Sequence, residues 1–437
     1  TSADFPVILR MPCAEHTEGG LTIEQGIEQI SLLSEGGVDA FLLSTGGQES
    51  LWSDCPPYCV PEIPGLEDFS AVKKALPDVA VIANCGIHDP FKAEHILAAG
   101  QADFIGICRP LLADPDYVDK VRHSRLEDIR PCLRCNNCQT WEARPALAGR
   151  GMCCTVNPAL MVEESMTSHP ACALKSIVVA GGGLAGMSAA ATLAERGHQV
   201  ILHEKSDELG GQWLAASAGE DKAAFRTLTA GLVRRMEKAG VDIRLNSAPD
   251  KNAILSEKPD VVILATGAHP RDLSGVDILP SPEQNGIARL FGIDVLRGAR
   301  VPGRKAVVVG GRYIGLECAV RLAEQGYETS LVEMNEIGRG VILRIRGIMF
   351  RRMMEAGVRL FPSSSVFRLT RHQVEIAHGG SVFPIDADAV ILAIGTVPDK
   401  SLQEHDFGVP THVIGDCRRI GDARDAVAQG TELGLLL

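Results

Sequence analysis

The sequence predicts an α/β protein built from parallel sheets covered by helices, and three features of the 437 residues lead to this expectation. A strand–glycine turn–helix–strand pattern occurs twice, at 176–205 and 305–334. Residues 1–122 alternate short apolar strands with amphipathic helices, which is typical of a parallel sheet buried on both faces. Between these regions, residues 129–158 contain a tight group of cysteines.

The N-terminal region predicts four β/α units. We expect strands at 5–11, 38–44, 79–85 and 102–108, and helices at 22–36, 68–76, 90–99 and 114–122. Four such units are half of an eight-stranded (β/α)8 barrel, so we assign residues 1–128 to a partial TIM barrel. Half a barrel leaves two open strand edges, which would pair with other strands because their N–H and C=O groups lack partners.

The cysteine group has the spacing of an iron–sulfur site. Cys132, Cys135 and Cys138 form a C-x2-C-x2-C run, and Cys154 follows in the segment CTVNP. Three thiolates at this spacing hold one corner of a 4Fe-4S cluster, and a remote fourth completes it. The alternatives are unrelated thiols and a structural zinc, which usually takes two separated C-x2-C pairs. Cys153 is the alternative fourth ligand. We assign 129–174 to the cluster loop and a polar linker.

The first copy of the repeated motif is a complete dinucleotide-binding fingerprint. Gly181, Gly183 and Gly186 form a G-x-G-x-x-G turn between a strand and a helix, and Glu204 ends the next strand. Such a turn directs helix N–H groups at a pyrophosphate, and the acid accepts a hydrogen bond from a ribose hydroxyl. One such motif is a weak signal, but two in matching frames predict two Rossmann-like dinucleotide-binding domains.

The second copy departs from the pattern at one position. Gly310, Gly315 and Glu333 repeat the first fingerprint, but Arg312 replaces the middle glycine. A side chain at this position either crowds the pyrophosphate or folds outward and pairs with it. Glu333 favours a free ribose hydroxyl over a 2′-phosphate, so the expected ligand is NADH. The alternative is a domain that has lost its ligand and remains as a scaffold.

The charge composition argues against two classes of binding partner. The net charge is −12, from 43 basic and 55 acidic residues, and the chain has no basic run. This balance argues against nucleic acid and against an anionic membrane surface. No apolar stretch reaches the length of a membrane span. Thirteen cysteines that do not form a disulfide framework fit a reducing compartment, so we expect a cytoplasmic protein.

The combined motifs resemble one known family. The segments GICRPLLADPD, IRPCLRCNNC and CTVNP, followed by two dinucleotide motifs, are similar to the iron–sulfur branch of the old yellow enzyme family. That branch includes 2,4-dienoyl-CoA reductase, clostridial enoate reductases, and the trimethylamine and histamine dehydrogenases. In these proteins a full barrel holds FMN, the cluster lies beside it, and the C-terminal half resembles the two-domain arrangement of glutathione reductase.

The resemblance assigns cofactors to regions. It implies that 175–290 with 400–437 bind FAD, or ADP as in trimethylamine dehydrogenase, and that 291–399 bind NADH. It also implies that the first four β/α units of the family barrel are absent from this chain. On that basis we expect the 437 residues alone to aggregate or dimerise through the half barrel and to bind FMN weakly or not at all.

The flavin residues follow from the resemblance and from barrel chemistry. Arg10 matches the family's flavin-ring arginine, whose charge stabilises reduced flavin as an anion. Phosphates often bind at the loops after strands 7 and 8 of a barrel. Here those loops carry Gly86, which allows close backbone approach, and Arg109, which supplies a bidentate guanidinium. Gln212, in the segment LGGQ, matches relatives that bind FAD, and Asp416 matches the aspartate that reaches the FAD ribitol.

The substrate side offers fewer signals. Dienoyl-CoA reductase has a proton-donating histidine in the loop that corresponds to STGGQESLWSDC (44–55), where this chain has none. Asp54 is the catalytic candidate in that loop, because the amine dehydrogenases have an Asp in a similar place, and Trp52 is its aromatic neighbour. The segment QTWE (139–142) also resembles the amine branch. Three further residues are either part of the site or plain loop residues, namely His16, Cys55 and Cys59.

Three functions follow from these expectations. The leading hypothesis is an oxidoreductase that passes electrons from NADH through FAD, a 4Fe-4S cluster and FMN to an activated C=C bond of a small-molecule substrate. The alternative is an amine dehydrogenase or demethylase of the trimethylamine dehydrogenase type, in which electrons leave through the cluster to an electron-transfer flavoprotein. The third is an inactive fragment, because half a barrel cannot enclose a flavin.

Overall fold

The computed structural model describes residues 5–47, 55–139, 152–278 and 286–437. These residues fall into two compact units, one within 1–140 and the other within 141–437. The first unit contains one sheet and the second contains two five-stranded sheets with smaller additions. The α/β class expected from the sequence is therefore confirmed.

The first unit is a four-stranded parallel sheet in the order β1-β2-β3-β4. Its strands are β1 (Ile8–Ala14), β2 (Ala40–Thr45), β3 (Ala80–Ala83) and β4 (Phe104–Ile105). Its helices are α1 (Ile23–Glu35), α2 (Leu66–Ala75), α3 (Pro90–Ala98), α4 (Arg109–Ala113) and α5 (Tyr117–Arg122). Apolar side chains between this sheet and its helices form the core of the unit, with Phe41 and Phe69 fully buried.

Helix boundaries in this unit follow local capping chemistry. Thr22 caps α1 through a capping box with Gln25, which satisfies two of the free N–H groups at the helix start. Asp89 caps α3, and Pro90 occupies its first position, where no N–H is needed. The expected helices 22–36 and 90–99 are confirmed to within one residue.

Two expectations about the end of this unit were wrong. The expected strand 102–108 is reduced to Phe104–Ile105, because Arg109 and Pro110 already begin a helix. The expected helix 114–122 is shorter, since α5 begins at Tyr117, and an additional helix, α4, precedes it at Arg109–Ala113. Asp114 is fully buried and accepts hydrogen bonds from Lys120 Nζ and from the Arg130 backbone N–H, so it fixes the turn between the helices.

The second unit carries the repeated motif. Its strands are, in chain order, β5 (Ser176–Ala180), β6 (Gln199–His203), β7 (Asp242–Arg244), β8 (Val261–Leu264), β9 (Ala268–Pro270), β10 (Asp277–Ile278), β11 (Ala288–Phe291), β12 (Lys305–Val309), β13 (Glu328–Val332), β14 (Arg359–Phe361), β15 (Ser364–Leu369), β16 (Gln373–His378), β17 (Ser381–Asp386), β18 (Ala389–Leu392), β19 (Thr396–Pro398) and β20 (Thr411–Val413).

The helices of the second unit alternate with these strands. They are α6 (Leu184–Glu195), α7 (Trp213–Ala216), α8 (Ala223–Ala239), α9 (Lys251–Ser256), α10 (Gly292–Leu296), α11 (Tyr313–Glu324), α12 (Leu343–Glu355) and α13 (Ala423–Leu436). Short 3₁₀ turns occur in the first unit at Leu126–Asp128 and Asn137–Gln139, and in the second unit at Glu163–Met166, Glu220–Lys222 and Gly415–Cys417.

Two parallel sheets of the same design result. The first has the order β20-β8-β5-β6-β7 and the second the order β11-β18-β12-β13-β14. Each places its fingerprint strand, β5 or β12, at the centre of the sheet. Strands β10, β15, β16 and β17 form a separate four-stranded sheet, and β9 pairs with β19.

The C-terminal segment belongs to the first sheet. Strand β20 pairs in parallel with β8, and α13 packs against α6. This helix contact is close because Gly430 has no side chain: an added Cβ would lie 2.3 Å from the carbonyl oxygen of Ala185. Residues 184–194 of α6 are all buried, since α6 is covered by the sheet on one side and by α13 on the other. Among the described residues, no helix is both long enough and apolar enough to cross a membrane.

Candidate functional site

Two of the three glycines in the first fingerprint turn are required by the structure, Gly181 by its backbone and its packing and Gly186 by its packing. Gly181 has φ +116°, and an added Cβ would lie 2.2 Å from the carbonyl oxygen of Ala265. An added Cβ at Gly186 would lie 1.9 Å from the carbonyl oxygen of Gly181. These glycines are therefore required by the close packing of strand, turn and helix.

Gly183 differs from the other two glycines. It caps α6 with extended dihedrals, φ −75° and ψ 179°, and an added Cβ would meet no atom within 4 Å. Any residue could adopt this backbone, so the protein itself does not require glycine there. The open space lies at the start of α6, where N–H groups and the positive end of the helix dipole favour a phosphate. The turn fits the pyrophosphate of a dinucleotide.

Glu204 is held in place by the turn that it completes. Its Oε2 accepts a hydrogen bond from the Gly182 N–H at 2.8 Å, and its Oε1 accepts one from the Ser206 N–H at 2.8 Å. The side chain is 6% exposed. A carboxylate offers about four acceptor positions, so both oxygens retain capacity for ribose hydroxyls.

The structure joins two residues that the sequence only suggested separately. Gln212 Nε2 donates to Asp416 Oδ2 at 3.2 Å, and the Gly421 N–H donates to Asp416 Oδ1 at 2.9 Å. Burial raises the pKa of Asp416, although these two hydrogen bonds oppose the shift. Gln212 immediately precedes α7, and Asp416 lies in the 3₁₀ turn between β20 and α13. This pair suits the polar ribitol portion of a flavin nucleotide.

The second fingerprint repeats this frame. Gly310 has φ +105°, and an added Cβ would lie 2.3 Å from the Ala393 carbonyl oxygen; at Gly315 the added atom would lie 1.7 Å from the Gly310 oxygen. Glu333 accepts hydrogen bonds from the Gly311 N–H at 2.6 Å and the Asn335 N–H at 2.8 Å. The residues of this second turn therefore fit a dinucleotide as well as the residues of the first turn do.

Arg312 folds outward. It caps α11 with φ −97° and ψ −167°, and its side chain is exposed. Its Nη2 lies 3.4 Å from the position that a Cβ on Gly340 would occupy, so the guanidinium covers the loop after β13. That loop is tied to the turn by a hydrogen bond from the Gly338 N–H to the Gly311 carbonyl oxygen, 2.7 Å long.

In the first unit, the expected flavin residues lie on or after the strands of the parallel sheet. Arg10 is an exposed residue of β1. Gly86 follows β3 with φ +100°, and the preceding Cys85 also has a positive φ of 66°. Arg109, at the start of α4, is 8% exposed, and its Nη1 donates to the Pro56 carbonyl oxygen at 3.0 Å and to Asn136 Oδ1 at 2.6 Å. The fit to a phosphate therefore rests on the remaining N–H groups of Arg109 and on the loop at Gly86.

A buried histidine supports the loop at Gly86. His88 Nδ1 lies 2.7 Å from the Gly86 carbonyl oxygen, and its Nε2 is buried. Burial, reinforced by the charge of Arg109, lowers the pKa of His88 to about 3. The ring is therefore neutral at physiological pH, so Nδ1 carries the proton that it donates to Gly86.

The three clustered cysteines lie in a braced loop of the first unit. All three thiols are partly exposed, and the intervening residues Arg134 and Asn136 have positive φ values of 55° and 58°. Arg134 is buried and donates to the carbonyl oxygens of Pro57 and Val60. Asn136 Nδ2 donates to the Cys55 carbonyl oxygen at 3.0 Å. Cys55 thus braces this loop.

Thiols are suitable ligands for an iron–sulfur cluster, but the described side chains are not arranged around a common metal position. Cys132, Cys135 and Cys138 supply three thiols within seven residues of one loop. Within the described part of the chain, no group of three or more His, Cys, Asp or Glu side chains converges as a metal site. The candidate fourth ligands, Cys153 and Cys154, belong to the second unit, where Arg424 Nη1 donates to Cys153 Sγ at 3.5 Å.

The substrate-side candidates are only partly described. Asp54 and Trp52 lie within 48–54, and most of the QTWE segment lies within 140–151, both outside the described residues. His16 is described: its φ is +54°, and its Nε2 lies 2.7 Å from Asp68 Oδ2, which also accepts from Thr45 Oγ1 at 2.8 Å. Asp68 was not identified from the sequence, since it lies in a helix without a motif.

Comparisons with known proteins agree with this architecture. Residues 175–419 match the family described as pyridine nucleotide-disulphide oxidoreductase, and residues 1–128 match the NADH:flavin oxidoreductase / NADH oxidase family. The chain belongs to the old yellow enzyme-like iron–sulfur flavoenzymes.

Particular relatives are similar over nearly the whole chain. An NADH oxidase of Thermoanaerobacter brockii is 34% identical over 98% of this chain, and a cinnamate reductase of Clostridium sporogenes is 30% identical over 98%. The solved structure of 2-naphthoyl-CoA reductase in complex with 2-naphthoyl-CoA is 27% identical over 99%, with a TM-score of 0.89. The chain spans 66% of the length of each of these three proteins.

Proposed function

We propose that the protein is a flavin- and iron–sulfur-dependent oxidoreductase in which electrons from NADH reach an activated C=C bond of a small molecule. The observation that carries this proposal is the duplicated dinucleotide frame, with Glu204 and Glu333 in equivalent positions of equivalent turns. Two nucleotide sites in one unit suit electron transfer between two dinucleotides. The names of the similar reductases support a conjugated C=C acceptor.

The proposal assigns each cofactor to residues of this chain. The first frame would hold FAD, or ADP, through its glycine turn, Glu204, Gln212 and Asp416, and the second would hold NADH through its turn and Glu333. FMN would be held by Arg10, Gly86 and Arg109 in the partial barrel, and a 4Fe-4S cluster by Cys132, Cys135, Cys138 and Cys154. A nicotinamide supplies electrons in pairs, a cluster passes them singly, and a flavin converts between the two regimes.

The residues themselves do three things in this scheme. The glycine turns bring helix N–H groups to each pyrophosphate, and the two glutamates orient the riboses. Gln212 and Asp416 position a ribitol chain at the edge of the first sheet. Neutral His88 holds the Gly86 carbonyl oxygen, which keeps the neighbouring N–H groups turned toward a phosphate. Asp54 remains the proposed catalytic residue.

The domain assignment forms part of the proposal. Residues 1–128 would be the flavin-binding part, corresponding to strands 5–8 of a TIM barrel, and 129–174 the cluster loop and linker. Residues 175–290 with 400–437 would be the FAD domain, and 291–399 the NADH domain. We place the protein in the reducing cytoplasm, because the positions of its thirteen cysteines in the sequence do not suggest a disulfide framework.

The substrate class is tested by acceptor-dependent turnover. Anaerobically prepared protein is mixed with NADH, and NADH oxidation is followed before and after addition of cinnamate or a 2-enoyl thioester. The proposal predicts that these acceptors accelerate NADH oxidation and that the Glu333→Gln variant needs more NADH for the same rate. Turnover of secondary or tertiary amines with a flavoprotein acceptor, without any effect of the C=C compounds, would instead assign the protein to the amine dehydrogenases.

A further inference from the structure

The backbone at Arg312 is the same as that at its counterpart in the first frame. Gly183 and Arg312 both cap their fingerprint helices in the extended region, with ψ 179° and ψ −167°. Neither has the positive φ that would favour glycine. The protein frame therefore tolerates a side chain at this position, in contrast to Gly310 and Gly315, whose added Cβ atoms would collide with backbone oxygens.

The requirement for glycine at this position comes from the ligand. The middle glycine of the fingerprint lets the backbone approach the pyrophosphate closely. Nothing of the protein lies within 4 Å of a Cβ added to Gly183, so a side chain there projects into open space at the helix start. Arg312 begins its side chain at the equivalent point, where a pyrophosphate would pass.

The guanidinium of Arg312 is available to an incoming phosphate. It is exposed and makes no hydrogen bond or ion pair with any residue that the structure describes. The nearby acid Glu333 already accepts N–H groups from Gly311 and Asn335. The side chain covers Gly340, which has no side chain to displace it. A planar guanidinium with free donors at this place matches the geometry of phosphate oxygens.

We infer that Arg312 is a nucleotide-binding residue, whose guanidinium pairs with the pyrophosphate of the dinucleotide in the second frame. This inference rests on the proposed function, namely that the second frame binds NADH. In the first frame the backbone at Gly183 would contact the pyrophosphate, whereas in the second frame an ion pair with Arg312 would replace part of that contact. Because Glu333 disfavours a 2′-phosphate, the charge of Arg312 serves NADH and does not convert the site to NADPH.

The test is a direct binding measurement on the full-length protein. NADH and NADPH are titrated by calorimetry into anaerobic protein whose flavin has been reduced beforehand, so that the heat reports binding and not flavin reduction, for wild type and for Arg312→Met, Arg312→Lys and Arg312→Gly. Arg300→Met is the matched control: Arg300 is also exposed, but it precedes the amino end of β12, whereas Arg312 follows the carboxyl end. Circular dichroism and the thermal midpoint of each variant verify that the fold is retained.

We expect Arg312→Met to weaken NADH binding at least tenfold and Arg300→Met to leave it unchanged. Arg312→Lys should lose less, and Arg312→Gly should recover most of the loss by restoring backbone approach. The wild-type affinity should fall more steeply with salt than that of Arg312→Met, since exposed ion pairs are screened. Unchanged NADH binding in Arg312→Met, tighter binding in Arg312→Gly than in wild type, or an effect confined to NADPH would each overturn the inference. Wild-type protein that binds no NADH would refute the proposed donor itself.

Discussion

Gln212 and Asp416, separated by 204 positions in the sequence, are joined by a hydrogen bond of 3.2 Å between Nε2 and Oδ2. The bond links the loop after β6 to the segment before α13. It shows why residues 400–437 matter to the first frame: β20 pairs with β8, and this brings Asp416 to the glycine turn. A site assembled from both ends of the second unit depends on the C-terminal segment for its geometry.

Asp416→Ala should lower the content of bound flavin nucleotide. The substitution removes the acceptor of the Gln212 and Gly421 hydrogen bonds and the proposed contact to the ribitol. Flavin released by heat denaturation is separated into FAD and FMN and quantified per chain. Glu404→Ala, an exposed acid on the same segment, is the control and should retain wild-type FAD. Equal FAD in both variants would remove Asp416 from the site.

Gly186→Ala should destabilise the first frame, because the added methyl would lie 1.9 Å from the Gly181 carbonyl oxygen. The backbone must move, so we expect a lower thermal midpoint and loss of bound dinucleotide. The control is Gly231→Ala in the middle of α8, where the added methyl meets nothing within 4 Å. That change should stabilise the helix by roughly 0.5–1 kcal/mol. A tolerated Gly186→Ala would contradict the packing described for the turn.

Cys135→Ser should abolish the iron–sulfur cluster. Replacing one of three clustered thiols by a hydroxyl removes a ligand of the proposed 4Fe-4S site. Iron and acid-labile sulfide are measured per chain in anaerobically purified protein, with Cys172→Ser, an exposed thiol of the second unit, as control. One bound zinc without iron would refute the cluster. Loss of iron in Cys153→Ala but not in Cys154→Ala would show that the fourth ligand is Cys153 and not Cys154.

His88 should make the first unit less stable in acid. Its folded pKa is lowered from 6.5 to about 3, so the unfolded chain binds the proton first as the pH falls. The stability is fully present above pH 6.5 and is lost as the pH falls from there toward 3, by at most about 1.4 kcal/mol per pH unit. Asn in the His88→Asn variant retains a donor for Gly86 but does not titrate. Between pH 7 and pH 5, the thermal midpoint of the first unit should therefore fall less in this variant than in wild type. The exposed His95→Asn control should behave as wild type; an identical loss in His88→Asn would exclude this histidine as the cause.

Much of the frame could be predicted because its constraints are local. Gly186 and Gly315 are fixed by contacts with Gly181 and Gly310 of the same turns, and Gly181 and Gly310 by the positive φ of those turns, so local spacing reveals all four glycines. Helix α1 was predicted to within a residue because the capping box at Thr22 and Gln25 is also local.

The remainder depends on contacts between distant parts of the chain. Asn136 is bonded to Arg109 and to the segment at Cys55, and no sequence spacing announces that arrangement. The pairing of Arg424 with Cys153 likewise joins the terminal helix to the cluster segment. The short β4 was overestimated because the apolar run continues to Cys108, whereas Pro110 starts a helix that ends the strand early.

The central claim is that NADH is the electron donor to flavin in this protein, and an anaerobic titration tests it most directly. Protein containing its flavin is mixed with NADH in the absence of oxygen, and the visible flavin absorbance is recorded. The account predicts that NADH bleaches the flavin and that the Arg312→Met variant requires a higher NADH concentration. Flavin that stays oxidised with NADH but is bleached by secondary or tertiary amines would contradict it.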